Sequence, residues 1–294
     1  MSMTETPSAS LALDTSAARE SWAEVVHALV RSGTFLTGMA VVLFWTACAL
    51  FGEMFTPYDP LGANILNSLA PPSAEHWFGT DQLGRDVFSR VIVGSRDILT
   101  VAPLATLLAT LVGTTLGLMT GYFRGILDDI VSRFLEAFMA VPVVIKALLV
   151  IVAIGTSKLT VIIVIGLAFA PIIARTVRSA VLAERELDYV AAAQLRHEGA
   201  LHTMFVEILP NILPPILVET TVRLGYAIFA VATLSFLGFG IQPPSPDWAL
   251  SISTNYGLIG GGFWWTVLFD GFAIATVVVG VNLVADGVHG AFND

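Results

Sequence analysis

Six stretches of this chain, residues 35–55, 99–122, 134–154, 159–181, 212–239 and 266–285, run for about 20 residues or more with almost no charge. That length matches an α-helix crossing a hydrocarbon layer about 30 Å thick. Lipid offers no partner to an unpaired backbone N–H or C=O, so repeated crossings of this kind must be helical. Composition agrees: 55% of residues are apolar and 13% charged, against roughly 45–50% and 25% in soluble domains. The chain therefore reads as an all-α polytopic membrane protein with six transmembrane helices. Its 294 residues leave no room for a separate soluble catalytic domain. The net charge of -9 gives no reason to expect a nucleic-acid partner. The single cysteine, Cys48, sits in an apolar run and permits no intrachain disulfide.

An even number of crossings puts both termini on one side. Arg19, Arg31, Arg124, Arg133, Arg175, Arg178, Arg185 and Arg196 fall on one side, and Arg85, Arg90, Arg96 and Lys158 on the other. The positive-inside bias then makes both termini cytoplasmic. Residues 1–34 form an N-terminal cytoplasmic tail, and 35–290 the membrane domain. The tail is expected to stay attached, because Glu5, Asp14, Glu20 and Glu24 do not suit a cleaved signal. Trp22, Val25, Val26 and Leu29 recur at helical spacing and predict a short amphipathic helix on the membrane surface. Outside, Gln242-Pro243-Pro244-Ser245-Pro246 breaks the chain, and Trp248, Trp264 and Trp265 suit the interface.

Between the fourth and fifth apolar runs, residues 184–211 are polar and rich in alanine. Asp188 suits a helix N-cap, Ala191, Ala192 and Ala193 favour helix and offer a smooth face, and Gly199 can end it in a left-handed conformation. A second short helix would put Leu201, Phe205 and Ile208 on one stripe before Pro210. The pattern alone fits two readings, a loop gripped by a cytoplasmic motor or a solvated amphipathic loop without a partner.

Tyr189-Val190-Ala191-Ala192-Ala193 followed by Ile208-Leu209-Pro210-Asn211 resembles the "EAA" cytoplasmic loop of bacterial ABC importer permeases. More narrowly, residues 76–90, HWFGTDQLGRDVFSR, are similar to the extracytoplasmic signature of the dipeptide/oligopeptide/nickel permease family. Further matches include Gly121-Tyr122-Phe123, Pro142, Ala174-Arg175 with Val177-Arg178, residues 234–240 and Asp286-Gly287, so the resemblance covers about residues 35–290. It implies a type I ABC importer permease fold in a bacterial cell membrane. The implied partners are a homologous second permease, two cytoplasmic ATPase subunits or domains, and an extracytoplasmic solute-binding protein. The partner ATPases hold ATP and Mg, and this chain binds no cofactor. The implied cargo is dipeptides or oligopeptides, with nickel complexes, glutathione, haem-like and opine-type solutes left open. The residues it points to for ATPase coupling are Glu186, Asp188, Tyr189, Val190, Ala191, Ala192, Ala193, Arg196, Gly199, Leu209 and Pro210. Two departures stand out: Ala191 where the family usually has the glutamate of a capping box, and His197 where it usually has glycine. The first coupling helix, 188–196, is expected to survive on Asp188 alone.

Ionisable groups within apolar runs mark function or internal pairing. Glu219 and Arg223, four apart, either neutralise each other along one helix face or line the solute pathway. Lys146 is a third pathway candidate, open between a peptide carboxylate, an acid on the second permease and snorkelling. Asp270 is expected at the outer interface. In the external signature, Asp81, Arg85, Asp86 and Arg90 either contact a neighbouring protein or cap the bundle, and Gly79 and Gly84 allow tight turns. No phosphate-binding loop, H-E-x-x-H or cysteine cluster points to catalysis. On composition alone the alternative is an ion-coupled secondary transporter or channel.

Overall fold

The computed structural model describes residues 23–293, and no strand occurs among them. The long helices are α1 (Gly33–Phe55), α2 (Val87–Phe123), α3 (Gly125–Ala140), α4 (Val143–Ile154) and α5 (Lys158–Glu184). They are followed by α6 (Asp188–Leu195), α7 (Leu213–Phe236), α8 (Trp248–Asn255) and α9 (Trp265–Asn293). Five of these are long and apolar enough to cross a membrane, and the bent pair α3 and α4 makes a sixth where the two are counted as one broken span. Residues 23–31 are helical, with Val25 and Leu29 half-buried and Val26 exposed. Trp22, the fourth member of that expected stripe, lies outside the described residues.

α1 starts where Ser32 Oγ accepts from Phe35 N at 3.3 Å. Most of its large side chains, including Leu43, Phe44, Leu50 and Met54, are exposed, as a lipid-facing span requires. Trp45 turns inward and donates through Nε1 to Thr276 Oγ1 at 3.0 Å. α1 and α9 meet at glycine, where a Cβ on Gly38 would stand 2.6 Å from the Gly280 carbonyl oxygen. A Cβ on Gly287 would lie equally close to Phe35. The start of the first crossing thus sits beside the end of the last, so both lie at one end of the bundle.

The centre of the bundle is the pairing of α2 with α5. Gly113, Gly117 and Gly121, four apart, turn one bare face to α5, and Cβ atoms there would stand 2.6–2.7 Å from Ile173, Val177 or Val181 and 2.7–3.1 Å from nearby carbonyls. Small residues repeated at this spacing bring backbones together, and dispersion replaces the hydrophobic effect that lipid cannot supply.

Two expected spans differ from the structure. The second helix begins at Val87 rather than 99, because Asp86 caps it and Val87 and Val91 are buried. The third is not continuous: at Val141-Pro142 the chain bends by 91° between α3 and α4. Proline has no N–H and holds its predecessor extended, which is where Val141 lies at φ -87°, ψ 128°.

Candidate functional site

The elbow between α5 and α7 is a compact two-part unit. α6 packs Val190 and Ala193 inward, both fully buried, and leaves Ala191 exposed and Ala192 half-buried. Ala193, expected on an outward docking face, therefore belongs to the interior. Asp188 is the first helical residue, not the cap; Leu187 holds the cap position and no side chain bonds there. Asp188 still places a negative charge at the positive end of α6.

The helix ends differently from the expectation that Gly199 would turn left-handed. Glu198 N donates to Ala193 O at 3.2 Å and His197 N to Gln194 O at 3.0 Å, the paired bonds of a Schellman ending. The residue that turns left-handed is His197, at φ 57°, whereas Gly199 is extended at φ -65°. A β-carbon in that region costs about 1–2 kcal/mol. His197→Gly is expected to stabilise this ending by about 1 kcal/mol and to slow exchange of the Glu198 amide roughly fivefold. Unchanged exchange would count against the assignment of strain to His197.

The second part is helical from 200 to 211, but residues Thr203–Ile208 form a π turn. Leu209 N reaches back five residues to Met204 O. The wider turn shifts the register, so the expected stripe is split: Ile208 is fully buried with Met204, while Leu201 is 70% and Phe205 43% exposed. Leu187, Leu195 and Val206 are exposed as well.

Several charges of the elbow are paired within the chain. Arg196 meets Glu198 at 2.7 Å and Glu207 at 3.2 Å, and its guanidinium holds Glu198 below the ordinary carboxylate range. Glu186 pairs with Arg124 at 2.6 Å, and Arg185 Nη1 donates to Tyr122 O at 2.5 Å. Both contacts anchor the elbow to the end of α2. Tyr189 donates to Glu184 Oε1 at 2.9 Å, and burial pushes its hydroxyl up to about 12. Leu209 is half-buried, and Pro210 and Gly199 are exposed.

The pathway candidates are divided. Lys146 donates from Nζ to Phe138 O at 2.9 Å, in the last turn of α3, and lies 4.0 Å from the centre of the Phe138 ring. It thus caps a helix end across the Pro142 bend. Glu219 and Arg223 pair along α7 at 2.7 Å, off the hydrogen-bond axis, and Arg223 stacks over Tyr226 at 4.8 Å. Arg178 grips Asp128 through two contacts of 2.6 Å, tying α5 to α3. Sequence reasoning missed this bond, since the two residues lie 50 apart.

At the opposite end, Asp81, Asp86 and Arg90 are each 1–2% exposed and bind within the chain, so they are not offered to a neighbour. Asp86 meets His76 Nδ1 at 2.9 Å, while its other oxygen accepts from Ser89 N at 2.8 Å and Ser89 Oγ at 2.7 Å. Asp81 accepts from Arg85 Nε at 2.7 Å, and Arg90 donates to Pro60 O at 3.1 Å and Ser245 O at 3.3 Å. Gly84 has to be glycine: at φ 70°, an added Cβ would stand 1.8 Å from Asn64 O. Asp270, expected to be exposed, is 1% exposed, because α8 folds back against α9. Asp247 caps α8 through Leu250 N at 2.8 Å, and burial pushes its carboxyl up to about 6. Asp97 binds both Lys158 and Ser245 in the wall of a 590 Å³ hollow.

Known proteins resemble this chain in sequence and in fold. Residues 113–294 match the family described as binding-protein-dependent transport system inner membrane component, and residues 21–72 match the N-terminal TM domain of oligopeptide transport permease C. The "Dipeptide transport system permease protein DppC" of Alkalihalophilus pseudofirmus is 36% identical over 291 residues, 99% of this chain and 95% of that protein. The protein of the same name from Escherichia coli K12 is 38% identical over 276 residues, 92% of each. In fold, the chain is similar to a solved structure titled "Inward facing conformations of the MetNI methionine ABC transporter", with TM-score 0.51 and 20% identity over 67% of this chain and 96% of that one. With its multi-pass helices and near full-length relatives, the chain belongs to the family of binding-protein-dependent transport system inner membrane components.

Proposed function

We propose that this chain is the permease subunit of an ATP-driven importer of dipeptides or oligopeptides. It forms the pathway with a homologous second permease, and a solute-binding protein delivers cargo from outside. Both termini and the elbow face the cytoplasm, where two ATPase subunits hold ATP and Mg. The peptide-transport names of relatives matched over more than nine-tenths of the chain support the cargo class.

The observation that carries the coupling role is the elbow's two-sidedness. One side is locked to the spans through Val190, Ala193, Met204 and Ile208, all 0–1% exposed. The other side presents Leu187, Leu195, Leu201, Phe205 and Val206 to the surroundings, an apolar patch beyond the spans that fits a protein partner better than water. Coupling requires that nucleotide favour one arrangement of the permease pair over another, and a rigid elbow carries that difference into α5 and α7.

The test is the double variant Leu201→Asp with Phe205→Asp, reconstituted with second permease, ATPases and binding protein. Peptide uptake and binding-protein-stimulated ATP turnover are expected to fall roughly tenfold or more, as for loss of an interface hot spot. Retained uptake would overturn the coupling role. Ion-driven transport by the purified chain alone would overturn the importer reading.

A further inference from the structure

One face of α5 changes character halfway along the membrane. Leu159, Ile163 and Leu167, four apart, are 65, 40 and 44% exposed. Beyond the buried Pro171, exposed positions at the same spacing are Arg175, Ser179 and Ala183. The first half suits lipid or an apolar neighbour. The second does not: at 1.5 Å per residue, Arg175 lies roughly 13 Å inside the Glu184 end of the helix, where a bare guanidinium against hydrocarbon is costly.

The surrounding cations already have partners. Arg178 is held by Asp128 at 2.6 Å, Arg133 by Glu136 at 3.3 Å, Arg223 by Glu219 at 2.7 Å, and Lys146 by Phe138 O at 2.9 Å. Arg175 has no ion pair among the described residues, though it borders two hollows. One, of 260 Å³, lies between α2, α3 and α5, with Asp129, Ser132 and Met139 in its wall. The other, of 610 Å³, opens along α5 beside Thr176, Ser179 and Pro215. Asp129 is exposed and likewise has no ion pair of its own among the described residues. One hollow therefore offers a spare cation and a spare anion, the complement of a zwitterion.

We infer that Arg175 is the cation that receives the carboxylate of the peptide crossing the membrane, a specificity-determining contact on the route. This rests on the importer reading above. A guanidinium and a carboxylate form a charge-assisted, often bidentate bond that a neutral amide cannot match.

The experiment compares L-alanyl-L-alanine with its C-terminal amide, each delivered from saturated binding protein to the complete complex in proteoliposomes. In Arg175→Gln, the ratio of free-acid to amide uptake is expected to fall roughly tenfold from the wild-type ratio, and Arg175→Lys is expected to keep most of it. An unchanged ratio in Arg175→Gln overturns the inference. So does a proportional loss of both substrates, which would mark a bond to the second permease or a folding role. A wild-type complex that moves neither peptide overturns the importer reading itself, and the role of Arg175 with it.

Discussion

Asp86→Ala is expected to destabilise the folded chain by about 3–5 kcal/mol, because it strips a buried, paired carboxylate from its partners. The side chain caps α2 at Ser89 N, accepts the Ser89 hydroxyl and pairs with His76, while 2% exposed. Alanine leaves all three groups facing an interior that water does not reach. Asp86→Asn keeps an oxygen for the cap and is expected to cost only about 1–2 kcal/mol. Reversible unfolding in mixed micelles provides the comparison. An alanine variant within about 1 kcal/mol of wild type would mean that the cluster is hydrated rather than buried.

Gly117→Val is the second large effect. An added Cβ alone would meet Val177 Cβ at 2.6 Å and Ala174 O at 2.7 Å, and valine adds two further carbons. Relief requires α2 and α5 to move apart, which also loosens Gly113 and Gly121 on the same seam. Ordinary overpacking costs about 1–3 kcal/mol; with backbone on both sides, more than about 3 kcal/mol is expected here. Because Arg185 and Glu186 tie the elbow to the end of α2, assembly with the proposed ATPase partners is expected to fail too. A valine variant that unfolds and assembles like wild type would show that the seam can open freely.

The misreadings of the sequence share a physical origin. Apolar residues flank Pro142 on both sides, so hydropathy averaged over a window runs through the 91° bend unchanged. Conversely, Arg90, Arg96 and Asp97 lower the hydropathy of the first turns of α2, and that part of the helix resembles a loop until its charges are seen to be satisfied. Asp270 looked peripheral because it lies near a helix end; α8, too short to stand out in hydropathy, packs against α9 and covers it. At the elbow, glycine was the natural candidate for a left-handed ending, but the hydrogen bonds place that ending two residues earlier, on His197.

What the sequence determined by itself was the all-helical, multi-pass architecture and the site of the elbow. Those follow from local quantities: apolar length against bilayer thickness, and one polar alanine-rich interval between two such lengths. Tertiary structure alone decided which face of the elbow is buried, which charges are paired, and that Arg175 remains without an ion pair among the described residues. Such pairings join positions 50 or more apart, as in Arg178 with Asp128 and Arg185 with Tyr122. Only the packing of α2, α3 and α5 brings them together, and no periodicity along the chain records it.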